Sequence, residues 1–174
     1  MIRTMIILAV LLVPSATTNL VAQQTYPTVS AKQAPAVLKL SLHTLNPRIG
    51  NKIEIEITMS NPGTKPYVWS AGAPGGSYQE FLYKLISNDG EKVRSTSFHR
   101  WMRGEPELGD PVRGLGGSAN EFVILPGKSV SFVIDLNKLY ELKKVGSYLL
   151  TVSRCDTVNR VVFNSAPLTI VITE

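Results

Sequence analysis

The chain has 174 residues, 44% of them hydrophobic, 18% charged and 7% aromatic, with a formal net charge of +5. One cysteine excludes a multi-disulfide scaffold and a Cys-rich zinc centre, and two histidines leave little room for His-based catalysis or metal binding. The length fits one domain, the apolar fraction argues against wholesale disorder, and 13 glycines and 11 prolines announce many turns.

In chain order, residues 1–22 read as a secretory signal peptide. Arg3 supplies the positive start, and Met5 to Val13 is an unbroken apolar run of nine residues. Leu20-Val21-Ala22 then offers a cleavage site before Gln23. The run is too short for a membrane anchor, since a spanning helix needs about 20 apolar residues. No cysteine follows it, so a lipid-anchored lipoprotein is not expected. The expected location is therefore periplasmic or secreted. Residues 23–35, polar with two prolines, read as a flexible lead, and residues 36–174 as the folded domain.

Strand signals follow. Leu38, Leu40 and Leu42 alternate with polar residues, as do Ile53, Ile55, Ile57 and Met59. Successive strand side chains point to opposite faces, so this period of two predicts half-buried strands of antiparallel sheets. Tyr67-Val68-Trp69 is a short strand, with Tyr67 and Trp69 as candidate core residues. Tyr78 to Ser87 is a longer strand with Phe81, Tyr83 and Leu85 on one face. Asn88-Asp89-Gly90 predicts a hairpin, with Glu91 to Thr96 as the returning strand.

Ser97 to Asn120 lacks a clean period and reads as one loop, well beyond the usual hairpin range of about 2–5 residues. Strands are again predicted at Glu121–Leu125 and around Val130, Phe132 and Ile134. Asn137 to Leu142 is the only helix candidate. Tyr148, Leu150 and Val152 mark another inward strand face. The last strand, Val161–Phe163 and Leu168–Ile172, is interrupted near Pro167, which predicts a bulge or a switch between sheets. About seven to nine strands with almost no helix predict an all-β fold, an antiparallel β-sandwich.

From Leu38 onward the sequence resembles the secreted immunoglobulin-like β-sandwich domains of bacteria. The residues that carry this are Lys52–Ile57 leading into Ser60-Asn61-Pro62, the Asn88-Asp89-Gly90 hairpin, Leu125-Pro126-Gly127-Lys128-Ser129, and Leu139–Leu142 followed by Gly146-Ser147-Tyr148. The last of these is similar to the corner where a tyrosine hydroxyl bonds back to upstream backbone. The Cys…Trp…Cys spacing of true immunoglobulin domains is absent. The Pro-Gly and Gly-x-Tyr elements are more loosely similar to a bacterial proteinase-inhibitor family with an immunoglobulin-like fold. No inhibitory residue can be matched, and the resemblance implies a fold rather than a function.

The search for chemistry gives little. There is no Gly-x-Ser-x-Gly, no H-E-x-x-H and no Cys pair. His43 reads as solvent-exposed. His99 stands beside Arg100, whose charge would lower its pKa, but no partner acid or nucleophile is indicated. Glu105, Glu107 and Asp110 read as solvated loop charges interleaved with Arg103 and Arg113 rather than a calcium site. Cys155 reads as a free thiol, with an intermolecular disulfide and a redox role as alternatives. Basic residues are scattered, which speaks against nucleic acid as partner. No enzyme, cofactor or metal is therefore expected.

Phe98, His99, Arg100, Trp101, Met102 and Arg103 are the most informative stretch, because aromatics, Met and Arg are enriched at interface hot spots. Two readings stand side by side. Either Phe98 and Trp101 fold back over the core, or Trp101 anchors a partner with Arg100 and Arg103 as polar contacts. The partner would be an envelope protein or a glycan. The expected function is a non-enzymatic exported binding or adaptor module using the 97–120 loop. The alternatives are an exported proteinase inhibitor presenting that loop and a carbohydrate-binding module.

Overall fold

The computed structural model describes residues 36–71, 78–111, 120–156 and 161–174. The signal peptide, the lead and Arg113 lie outside the described residues, as do the side chain of Trp69 and the Gly/Pro cluster 72–76. The described chain is all-β, built from antiparallel sheets compatible with a β-sandwich, with one short helix.

The alternating patterns found their partners. β1 (Val37–Leu42) pairs with β2 (Glu54–Ser60). The small β3–β5 ribbon joins Tyr67–Ala71 to Asn120–Ile124. β4 (Leu82–Ser87) lies on one edge of the long β7 (Gly146–Asp156). β6 (Ser129–Asp135) completes a β1-β2-β6 sheet. The inward residues Ile55, Ile57 and Met59 of β2 meet Leu150 and Val152 of β7 in one core, with Ile134, Leu85, Phe163 and Ile170. Burying this aliphatic surface is the main favourable term, about 25 cal/mol per Å² removed from water.

β8 (Val161–Asn164) and β9 (Leu168–Ile172) both pair with β7, at Ser153–Asp156 and Gly146–Leu150 respectively. Ser165 fills the gap between them. Its N–H donates to the Val152 carbonyl (2.9 Å), and its Oγ accepts from the Val152 N–H (3.0 Å). The Pro167 interruption is thus a bulge-like break within one sheet. The strand does not switch sheets there.

Two turn signals have clear physical roles. Gly127 has φ +69°, a conformation that costs glycine nothing. Its N–H donates to the Asn61 carbonyl (2.8 Å), while the buried Asn61 Nδ2 donates to the carbonyls of Lys65 and Ile124, each at 2.8 Å. One asparagine therefore ties the β2–β3 turn to the β5–β6 turn. At the start of β7, Tyr148 Oη donates to the Lys144 carbonyl (2.7 Å), which closes the corner after β6.

Three expectations need correction. Glu91 to Thr96 is not a continuous returning strand; it makes only isolated bridges, Lys92 to Ile86 and Ser95 to Tyr140. The predicted strand at Tyr78 begins only at Leu82, because Tyr78 lies in a turn where its Oη accepts from the Asp135 N–H (3.0 Å). The helical turn forms at Leu136–Lys138, earlier than Asn137–Leu142, because Asp135 caps it by accepting from the Asn137 N–H.

Candidate functional site: the short helix beside β4

Ser97 to Asn120 is not one loop. Ser97–Met102 is a helix, α1. Thr96 caps its start, with Oγ1 accepting from the His99 N–H (3.2 Å). Gly104, at φ +70°, ends it. Its N–H donates to the Trp101 carbonyl (3.0 Å) and that of Glu105 to the Arg100 carbonyl (2.9 Å), the paired bonds of a glycine-terminated helix. The capping threonine and the glycine eight residues later are the sequence signals that could have found α1. One helical turn carries too short a pattern to show a period.

α1 packs through its side chains against the core beside β4. Phe98 and Met102 pack against the core, and Phe98 meets Tyr78 edge-on with ring centroids 5.7 Å apart. His99 is only 2% exposed. It stands edge-on to Tyr83 (6.2 Å) and Tyr140 (4.9 Å), and Ser95 Oγ lies 3.1 Å from its Nδ1. Its pKa is lowered, first by burial and then by Arg103; Arg100, the expected cause, is turned elsewhere. The His99 ring also lines the inner wall of the groove beside α1.

Arg100 was expected to meet a partner. The protein itself holds it instead. Nε and Nη2 donate to the two oxygens of Asp110 (2.9 and 2.5 Å), and Nη1 to the Ser95 carbonyl (2.5 Å). This fork-to-fork pair has the geometry in which Arg exceeds Lys. It holds the Asp110 carboxyl down at about 2, helped by the Glu107 N–H that donates to Asp110. Arg103 stays exposed and pairs with Glu105 (3.0 Å). The acidic trio is thus divided between Arg100 and Arg103 and ties the loop after α1 to the helix.

Trp101 is half-buried, its ring tilted 31° against Phe98 at 5.9 Å. The two readings of the segment therefore divide by residue. Phe98 and His99 cover the core, while Trp101 and Arg103 keep accessible surface. Beside them a groove of about 390 Å³ runs between α1 and the start of β4, lined by Tyr78, Phe81, Tyr83, Met102, Arg103 and Glu105. That volume falls in the range of small-ligand sites, roughly 300–1,000 Å³. A larger groove of about 490 Å³ lies between Asp89–Arg94 and Glu141–Tyr148. Its rim charges are of both signs and partly paired, as in Lys143–Glu141 (2.8 Å), and it has no comparable aromatic floor.

A second polar site went unread in the sequence. On β7 the inward alternation Tyr148, Leu150, Val152 continues through Arg154 and Asp156, both buried. Arg154 Nη1 donates to the Glu80 carboxylate (2.5 Å) and carbonyl (2.9 Å), and its guanidinium lies 5.8 Å from the Phe81 ring. Tyr67 Oη donates to Asp156. Burial, then that bond, pushes the Tyr67 hydroxyl pKa up. The period of two carried this signal, since Arg154 and Asp156 are in phase with Val152.

Among the described residues no group of three or more His, Cys, Asp or Glu is placed to hold a metal ion. Among the described residues, too, no helix is long and apolar enough to cross a membrane. Cys155 is a free, half-buried thiol opposite Val162. His43 is exposed.

No family model and no curated protein matches this chain. Among solved structures, the beta-glucosidase from Listeria innocua in complex with glucose aligns with a TM-score of 0.37 and 11% identity, covering 80% of this chain. The chain spans 16% of that enzyme's length, and so distant a likeness carries no argument about function.

Proposed function

We propose that this chain is an exported immunoglobulin-like β-sandwich that serves as a non-enzymatic binding or adaptor module of the bacterial cell envelope. The fold reading rests on the β1-β2-β6 sheet set against the β4-β7-β8/β9 sheet, and on the Tyr148 corner at the start of β7. Export rests on Arg3 and the Met5–Val13 run, and N-terminal sequencing of the mature protein should find Gln23 first.

One observation carries the binding reading. Trp101 is held half-exposed on a short helix that His99 fastens to the core and the Arg100–Asp110 pair braces against the following loop, near an aromatic groove. An aromatic anchor presented on a rigid scaffold is the usual composition of a hot spot. The partner is an envelope protein, with a glycan stacked on Trp101 as the alternative. Capture from an envelope extract, run beside a glycan array, tests this. Trp101→Ala should remove capture while leaving the thermal transition nearly unchanged; equal capture by both proteins would reject Trp101 as anchor.

The proteinase-inhibitor reading keeps one support. Leu108, in the turn with Gly109 after α1, is fully exposed, as the contact residue of an inhibitory loop would be. Titration of secreted proteases with stoichiometric protein decides it, and undiminished protease activity would remove this reading.

A further inference from the structure

We propose that His99 is a proton-sensitive latch, neutral when α1 is docked on β4, whose protonation loosens α1 and opens the aromatic groove beneath it. This proposal rests on the reading of that groove as the binding site and adds its regulation.

The argument starts from what surrounds the ring. His99 sits at the junction of three pieces of chain: α1, β4 and the segment after the 3-10 turn. Tyr83 of β4 and Tyr140 after the turn meet it with their rings, and burial pushes both hydroxyls upward, so neither supplies a negative charge. Ser95 Oγ lies within hydrogen-bond distance of Nδ1, and the Leu139 carbonyl accepts from the ring, a bond that favours the protonated form but is outweighed by burial. The ionic groups that bear on it are at the end of α1. Arg103 opposes a positive ring, Glu105 favours one, and the two pair with each other. An added proton therefore puts a charge on a ring that burial has taken largely out of water, with no net counter-charge from the Arg103–Glu105 pair.

The direction follows. Burial holds the ring below its ordinary value of 6.5. A loosened α1 exposes the ring and binds the proton more readily than the docked one, so docking is complete above that value and weakens as pH falls. The opening constant should rise by up to about tenfold per pH unit below 6.5 until the docked ring itself titrates. The other anchor of the helix does not share this window, because Asp110 stays ionised down to about 2. What opens is the groove wall. Met102 and Arg103 belong to the helix, while Tyr78, Phe81 and Tyr83 belong to the sheet side.

Two measurements on the mature chain without any ligand test the latch. The first is an imidazole NMR titration from pH 8 to 4.5, in which exposed His43 provides the second ring signal. His99 should titrate below 6.5, and a midpoint at or above it would overturn the proposal. The second is hydrogen exchange of the Arg100 and Arg103 amides, bonded to Thr96 and His99 carbonyls, against β2 core amides. Their relative protection should fall with pH in the natural chain and stay level in His99→Gln. Relative protection that does not change with pH in the natural chain would also overturn it, whether or not the variant folds. Neither readout involves a partner. A failed latch leaves Trp101 capture standing, and a Trp101→Ala variant that still captures leaves the titration standing.

Discussion

Arg154 on β7 and His99 on α1 are buried to nearly the same depth, 4% and 2% exposed, yet the protein keeps them by opposite means. Arginine cannot give up its proton, so burial obliges the fold to bring a counter-charge, and the Glu80 carboxylate meets it. Histidine can give up its proton, so burial is met by neutrality, and the neighbours of His99 are tyrosine rings, a hydroxyl and a carbonyl. The second arrangement stands in the wall of the groove proposed to bind.

Breaking the ionic site should have the largest effect. Arg154→Ala leaves Glu80 buried without its cation and should cost about 3–5 kcal/mol, read as a lowered urea midpoint. Leu150→Ala, two turns of the pleat earlier on the same inward face, is the apolar control. It should cost about 2–5 kcal/mol by cavity formation, and unlike Arg154→Ala its cost should not change with salt. Between these two variants, any salt dependence belongs to the ionic site.

Smaller effects sharpen the other side of the comparison. Thr96→Ala removes the cap of α1 and should cost about 1 kcal/mol, seen first as faster exchange in α1 rather than in the core. Tyr148→Phe removes only the bond to the Lys144 carbonyl and should also cost about 1 kcal/mol, with no selective effect on α1. The pH titration of stability should then separate the two polar sites. Lowering pH from 7.5 to 5 should loosen α1 through His99, whereas the Arg100–Asp110 pair gives way only near pH 2. Trp101→Ala, expected to change stability least, is the variant that reads binding alone.

How far the sequence could be read depended on pattern length. The strands of Leu38–Leu42 and Ile53–Met59 were legible because each repeats its alternation several times, and one buried face needs no more than that. The Tyr148 corner was legible because its residues are close in sequence. α1 was missed because six residues among glycines and prolines give no period, although Thr96 and Gly104 marked its ends. Of the candidate site, Trp101 is half-buried and Arg103 exposed, while Phe98 and His99 turn inward and Arg100 toward Asp110.

Sequence alone thus determined an all-β chain, its strand faces and most of its turns, since those depend on neighbours one to four residues apart. Tertiary structure decided what the chemistry-bearing residues meet. The Glu80 carboxylate reaches Arg154 across 74 residues, and Tyr140 reaches His99 from beyond β6. Contacts between distant segments set burial, and burial sets which charge a side chain can carry. That is why one buried cation is matched by a carboxylate while one buried histidine stands neutral, poised to answer a proton.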